Sequence, residues 1–202
     1  MPRLKQKLQT LLENAKRVAI LGIGSELRGD DAVGLLVLNN LRHKIFAIKK
    51  RRIVCKLFNG GTAPENLTGE IRRFKPGHLI MIDAVELGKR PGTIALLDLK
   101  RIENTVFLTH KLPIKLMLDY LAFARMPLAT EINGKATTAT CPAKLEERSR
   151  KPEGRRRVAA EMAFTTIFIG IQPKSLDFGA HVSREVSHAS RNLADLLFTA
   201  LQ

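Results

Sequence analysis

The stretch VAILGIGSELRGDDAVG, residues 18–34, restricts the possible folds more than any other part of the chain. Val18, Ala19, Ile20, Leu21 and Ile23 form a continuous apolar run. A strand with one wet face would alternate, so this run predicts an interior strand covered by helices on both faces. Gly22 and Gly24 permit backbone geometry that a β-carbon would block. Glu26, Arg28, Gly29, Asp30 and Asp31 come next, and then Val33, Leu36, Val37, Asn40 and Leu41 at helical spacing. The unit reads as strand, loop and helix, with two adjacent carboxylates where the helix begins.

A dinucleotide loop would use G-x-G-x-x-G and turn a helix N-terminus toward a pyrophosphate. Here the glycines are Gly22, Gly24 and Gly29, a longer spacing. Asp30 and Asp31 would also repel a phosphate where the helix dipole should attract one. An N-cap role explains one acid, but not both acids together with the glycines.

The remaining pattern alternates strand and helix. Leu4, Leu8, Leu11, Leu12 and Ala15 give an N-terminal helix, and Ile53–Phe58 a second strand ending in Asn59-Gly60-Gly61. Thr62 to Glu65 has the form of a capping box, with Thr62 as cap, Glu65 reaching back and Pro64 in the first turn. His78–Asp83 predicts a strand ending at Asp83, and Thr93–Leu97 a strand antiparallel to it, because the link is too short for a crossover helix. Thr109-His110 opens a helix, Thr165–Ile171 is the last strand, and Val182, Val186, Ala189, Leu193, Leu196 and Ala200 mark the last helix. This order predicts an α/β fold, a three-layer α/β/α sandwich around a mostly parallel, five-stranded sheet with one antiparallel strand. It is expected to form a single domain over residues 1–202, with a polar, weakly patterned and flexible insertion at residues 126–163.

No window reaches the apolar length of a membrane span. The N-terminal segment lacks the apolar block and cleavage site of a signal peptide, so a cytoplasmic location is expected. Cys55 and Cys141 alone argue against a disulfide framework or a cysteine-based metal site. The net charge of +15 concentrates in Arg42–Lys56, which holds no acid. Interleaved Ile45, Ile53 and Val54 make this a solvated face, with an acidic protein partner as the functional variant, and no aromatic platform points to nucleic acid.

In open α/β sheets, ligands bind beyond the carboxyl ends of the strands. Asp31 follows the first strand, Asp83 ends the third, and His110 opens a later helix. Two carboxylates and an imidazole at one sheet edge suit a borderline divalent metal such as Ni or Zn. Each residue also has a structural reading, as a cap, a strand-end acid or a first-turn histidine. No serine nucleophile elbow, P-loop or H-E-x-x-H helix is present.

The segments LGIGSELRGDDAVG, NGGTAPENLTGEIRRFKPGHLIMIDAVELGKRPGTIALLDL, LTHKLPIKLMLDYL and FIGIQP together resemble the maturation endopeptidases of NiFe hydrogenases, most closely the hydrogenase 3 type that serves formate hydrogenlyase. The resemblance implies a cytosolic, aspartic-type, nickel-dependent endopeptidase that removes a C-terminal extension from the hydrogenase large-subunit precursor after nickel insertion. It implies Asp31, Asp83 and His110 as catalytic and metal-contacting residues. Gly60, Gly61 and Thr62 are implied in substrate binding. The Ni2+ would be carried by the substrate, with Zn or Cd able to occupy the same ligands. Asn59 stands where the family commonly has Asp. A monomer that binds neither nucleic acid nor membrane is expected, its glycines making room for a protein tail. The alternative is a metal-binding or chaperone-like module that docks on the immature subunit without cutting it.

Overall fold

The computed structural model describes residues 2–46, 52–97, 107–108, 117–118, 120–121 and 164–202. Its elements are α1 (Pro2–Leu12), β1 (Arg17–Ile23), α2 (Val33–Phe46), β2 (Val54–Gly61), α3 (Thr68–Phe74), β3 (His78–Glu86), β4 (Ile94–Leu97), β5 (Phe107–Leu108), β6 (Thr165–Ile171) and α4 (Arg184–Ala200). Short 3-10 turns, Gly29–Ala32 and Pro64–Leu67, precede α2 and α3. Residues 117–118 and 120–121 are helical.

The sheet runs β2-β1-β3-β6-β4. β1 pairs parallel with β2 and β3, and β3 parallel with β6, while β4 closes the edge antiparallel to β6. The uninterrupted apolar run produces the interior strand it predicts, because each face of β1 meets a different layer. Val18 and Ile20 pack with buried residues of α1, α2 and α4. Ala19, Leu21 and Ile23 pack with Ile71 of α3 and with Met117 and Leu121. β3 and β6 divide their side chains the same way, which makes the three layers.

Several boundaries differ from the sequence expectation, each for a local reason. β3 does not stop at Asp83 but continues to Glu86, since β6 pairs with it as far as Ala84 and β5 then pairs with Val85 and Glu86. β4 has the expected direction, yet its ladder partner is β6, which lies between it and β3. The capping box does not form. Ala63 is the N-cap of the 3-10 turn and makes no side-chain cap bond; Pro64 keeps its early place. Main chain does the capping instead: the amides of Ala63 and Asn66 donate to the carbonyls of Gly60 and Ala63, both at 3.2 Å. In α4 the buried seam runs through Leu197, with Leu196 at its margin. The insertion at 126–163 and the Thr109-His110 helix start lie outside the described residues.

The basic segment is partly described. Ile45 and Ile53 enter the core. Lys44 pairs with Asp195 at 2.7 Å, and Lys56 pairs with Glu70 at 3.5 Å and covers the Phe58 ring. Lys44 and Lys56 are thus partly exposed, each paired with an acid of another element. Among the described residues, no helix is long and apolar enough to cross a membrane.

Two stability predictions follow from this packing. Ile20→Ala, on a strand buried from both sides, should cost about 2–5 kcal/mol in denaturant unfolding, whereas Val54→Ala at the exposed start of β2 should stay within about 0.5 kcal/mol. His78, half-buried at the start of β3, has its pKa lowered by burial, against the opposing pull of a hydrogen bond with the Leu11 backbone. The unfolded chain then takes the proton at a higher pH than the folded one. Stability is therefore expected to fall as pH drops through about 6.5, and more steeply than in His78→Gln when the two are unfolded in parallel across that window.

Candidate active site

The strand order reverses at β1: the chain moves outward from β1 to β2 and then crosses to β3 on its other side. The carboxyl ends of β1 and β3 flank the crevice that such a reversal opens. Asp31 and Asp83 both sit there. Asp31 lies in the 3-10 turn that β1 feeds, and this turn packs against β3. Asp83 lies one residue beyond Ile82, the last β3 residue paired with β1, and opposite Gly170 of β6.

Both side chains are fully buried. Each carboxylate is oriented by a backbone amide, Asp31 Oδ2 accepting from Ser25 N–H at 2.9 Å and Asp83 Oδ1 from Ala84 N–H at 2.8 Å. The N-cap of the 3-10 turn is Arg28, which makes no side-chain cap bond. Gly24 explains the tight path between strand and turn. Its φ is 133°, and a β-carbon there would stand 1.8 Å from the Asp31 carbonyl oxygen. The space at Gly24 is thus filled by the chain's own backbone and not by a substrate tail, contrary to the sequence expectation.

On the other side of β1, the β2 ladder slips: Gly22 pairs with Asn59 and Ile23 with Gly61, leaving Gly60 as a bulge. Gly60 is buried, and a β-carbon on it would meet Leu21, Gly22 and Pro64. Gly61 is different. Its φ is 51°, and among the described residues no atom beyond its two chain neighbours lies within 4 Å of where a β-carbon would be. Thr62 beside it is exposed. The Gly61 carbonyl accepts from Gly24 N–H at 2.9 Å, which joins this loop to the one that leads to Asp31. Asn59 accepts from Gly61 N–H at 3.1 Å through Oδ1, and so shapes the same turn.

The structure therefore brings Asp31, Asp83, Gly60, Gly61 and Thr62 to the carboxyl ends of three neighbouring strands. His110 lies outside the described residues. Among the described residues no group of three or more His, Cys, Asp or Glu side chains is arranged to hold a metal.

Sequence reading missed two residues that build the site. Asp30 is almost wholly buried and accepts four hydrogen bonds: Ser183 N–H on Oδ1 at 2.6 Å, and Lys174 N–H, Ser175 N–H and Ser183 Oγ–H on Oδ2 at 2.7, 3.3 and 2.9 Å. Ser183 is also the N-cap of α4. Asp30 thus fastens the β1 loop to the segment after β6, and the doublet divides its work between adjacent acids. Gln172 is the second. Its Oε1 accepts from Leu87 and Lys89 N–H at 2.7 and 3.2 Å, while Nε2 donates to Glu86, fixing the turn beyond Asp83. The doubled acid and a polar residue closing an apolar strand were the only signals for them.

Asp30→Ala would leave buried amides without an acceptor. The expected loss is about 3 kcal/mol or more in denaturant unfolding, with a smaller loss for Asp30→Asn, which keeps one acceptor oxygen.

Comparison with known proteins places this geometry. Residues 41–146 match the family profile described as HycI, hydrogenase maturation protease. A Methanocaldococcus jannaschii protein assigned as a hydrogenase maturation protease is 30% identical over 202 residues, covering 98% of this chain and 96% of that protein. The hydrogenase 3 maturation protease of Escherichia coli K12 is 35% identical over 103 residues, 50% of this chain and 62% of that protein. The crystal structure of a NiFe hydrogenase maturation protease from Thermococcus kodakarensis superposes with a TM-score of 0.60 at 22% identity, over 96% of this chain and 98% of that one, which supports the fold. Profile and full-length relative agree with the sequence resemblance, and the chain belongs to the hydrogenase maturation protease family.

Proposed function

We propose that this chain is the endopeptidase that removes the C-terminal extension of a NiFe hydrogenase large-subunit precursor once nickel has been inserted. The observation that carries the reading is a pair of fully buried carboxylates, Asp31 in the turn after β1 and Asp83 on the neighbouring β3, in a member of this family. Buried carboxylates are retained where they bind cations or are held by hydrogen bonds. Asp30 takes the structural role with its four donors, and Asp31 is assigned the chemical one.

In this reading nickel arrives as part of the substrate. Asp31 and Asp83 contribute oxygen ligands and His110 a nitrogen ligand, a set suited to a borderline divalent ion. The amides of Ser25 and Ala84 hold the two carboxylates in place, as partners outside a metal's ligand set do. The Gly61-Thr62 turn, which presents main chain without a β-carbon at its first residue, offers room for an extended substrate backbone. The bound nickel would position the scissile bond over the cleft. Water adds to its carbonyl, and the peptide nitrogen leaves with the proton as the new amino terminus of the released tail. The protein needs no resident metal for this.

Incubation with nickel-loaded and nickel-free precursor tests the proposal. Shortening of the loaded form alone is expected by mass spectrometry. Equal shortening of both overturns nickel recognition, and shortening of neither favours a docking module that does not cut. Asp83→Asn and His110→Ala are each expected to lower processing by more than about 100-fold, beyond what loss of an outer partner of a metal site costs.

A further inference from the structure

Among the described residues, the two most exposed large apolar side chains are Phe178 at 80% and Leu27 at 62%. They are far apart in sequence but stand on backbones that touch: Gly179 N–H donates to the Leu27 carbonyl at 2.8 Å. A second bond, Arg28 Nε to the Leu176 carbonyl at 3.3 Å, ties the same two loops. Beneath both, Asp30 binds the amides of Lys174, Ser175 and Ser183. Loops that merely cross the surface do not commit a buried carboxylate to holding them together. The exposed leucine and phenylalanine are thus presented on a braced platform, where leaving them in water works against solubility and earns no packing.

The position of the platform identifies its occupant. Leu27 lies in the loop that leads from β1 to Asp31, so a protein whose peptide bond reaches Asp31 passes beside Leu27. We infer that Leu27 and Phe178 form an apolar lip on the cleft that docks an apolar segment of the hydrogenase large-subunit precursor next to its scissile bond. This inference rests on the proposed processing function and adds a binding surface to it. The lip would supply affinity through burial of its two side chains, and the carboxylates would supply the chemistry.

The test uses the full chain with nickel-loaded precursor and measures both processing kinetics and direct binding of the precursor. For the double variant Leu27→Ser, Phe178→Ser, KM and the dissociation constant should rise about tenfold or more, with kcat within twofold and an unchanged thermal midpoint. Phe178→Leu, which keeps an apolar side chain, should restore most of the affinity. Val54→Ser, removing an exposed apolar side chain at the opposite end of the sheet, should change neither. Binding and kcat/KM of the double variant within twofold of wild type would overturn the lip. So would a concentration-dependent dimer abolished by the double variant while precursor binding persists, since the occupant would then be a second copy. If the wild type binds precursor without cutting it and the double variant loses that binding, the lip stands and the endopeptidase reading falls. If the wild type neither binds nor cuts, both fall.

Discussion

The Asp30 carboxylate is the interaction on which the site end of the molecule depends. A carboxylate withdrawn from water needs donors for both oxygens, and this one has them from three backbone amides and one hydroxyl. All four belong to the segment between β6 and α4, 144–153 positions away in sequence. One short side chain therefore makes the loop after the first strand and the loop after the last strand a single body. Because Ser183 both donates to Asp30 and caps α4 through Val186 N–H, the start of the last helix is fixed by the same contact.

The sheet supplies the other half of the construction. β1 and β3 are covered on both faces, so their carboxyl ends are set by two hydrophobic layers and move little relative to each other. Gly24 lets the 3-10 turn fold back within contact of the strand, and the turn sets Asp31 against β3. On the far side of β1, the Gly60 bulge redirects β2 so that Gly61 faces outward.

Much of this was legible in the residues. The apolar runs at Val18–Ile23 and Thr165–Ile171 gave interior strands because periodicity reports burial directly. What escaped were features decided by partners distant in sequence. Asp83 looked like a strand end, since the pairing with β5 and β6 that prolongs β3 cannot be read from β3 itself. The Thr62 capping box gave way to backbone turn bonds from the amides of Ala63 and Asn66. Asp30 and Asp31 were indistinguishable by type, because the donors that make Asp30 a brace come from the segment after β6, far away in sequence. His110, the third member of the expected set, lies outside the described residues, so its place beside the two acids rests on the sequence.

The prolongation of β3 has a consequence for how firmly Asp83 is held. Asp83 stands three positions short of the strand's end at Glu86, with its own backbone paired to Gly170 of β6 and β5 paired across the last two residues. The ladder is therefore tied down on both sides of this position, and fraying at the strand's end loosens Val85 and Glu86 before it reaches the carboxylate.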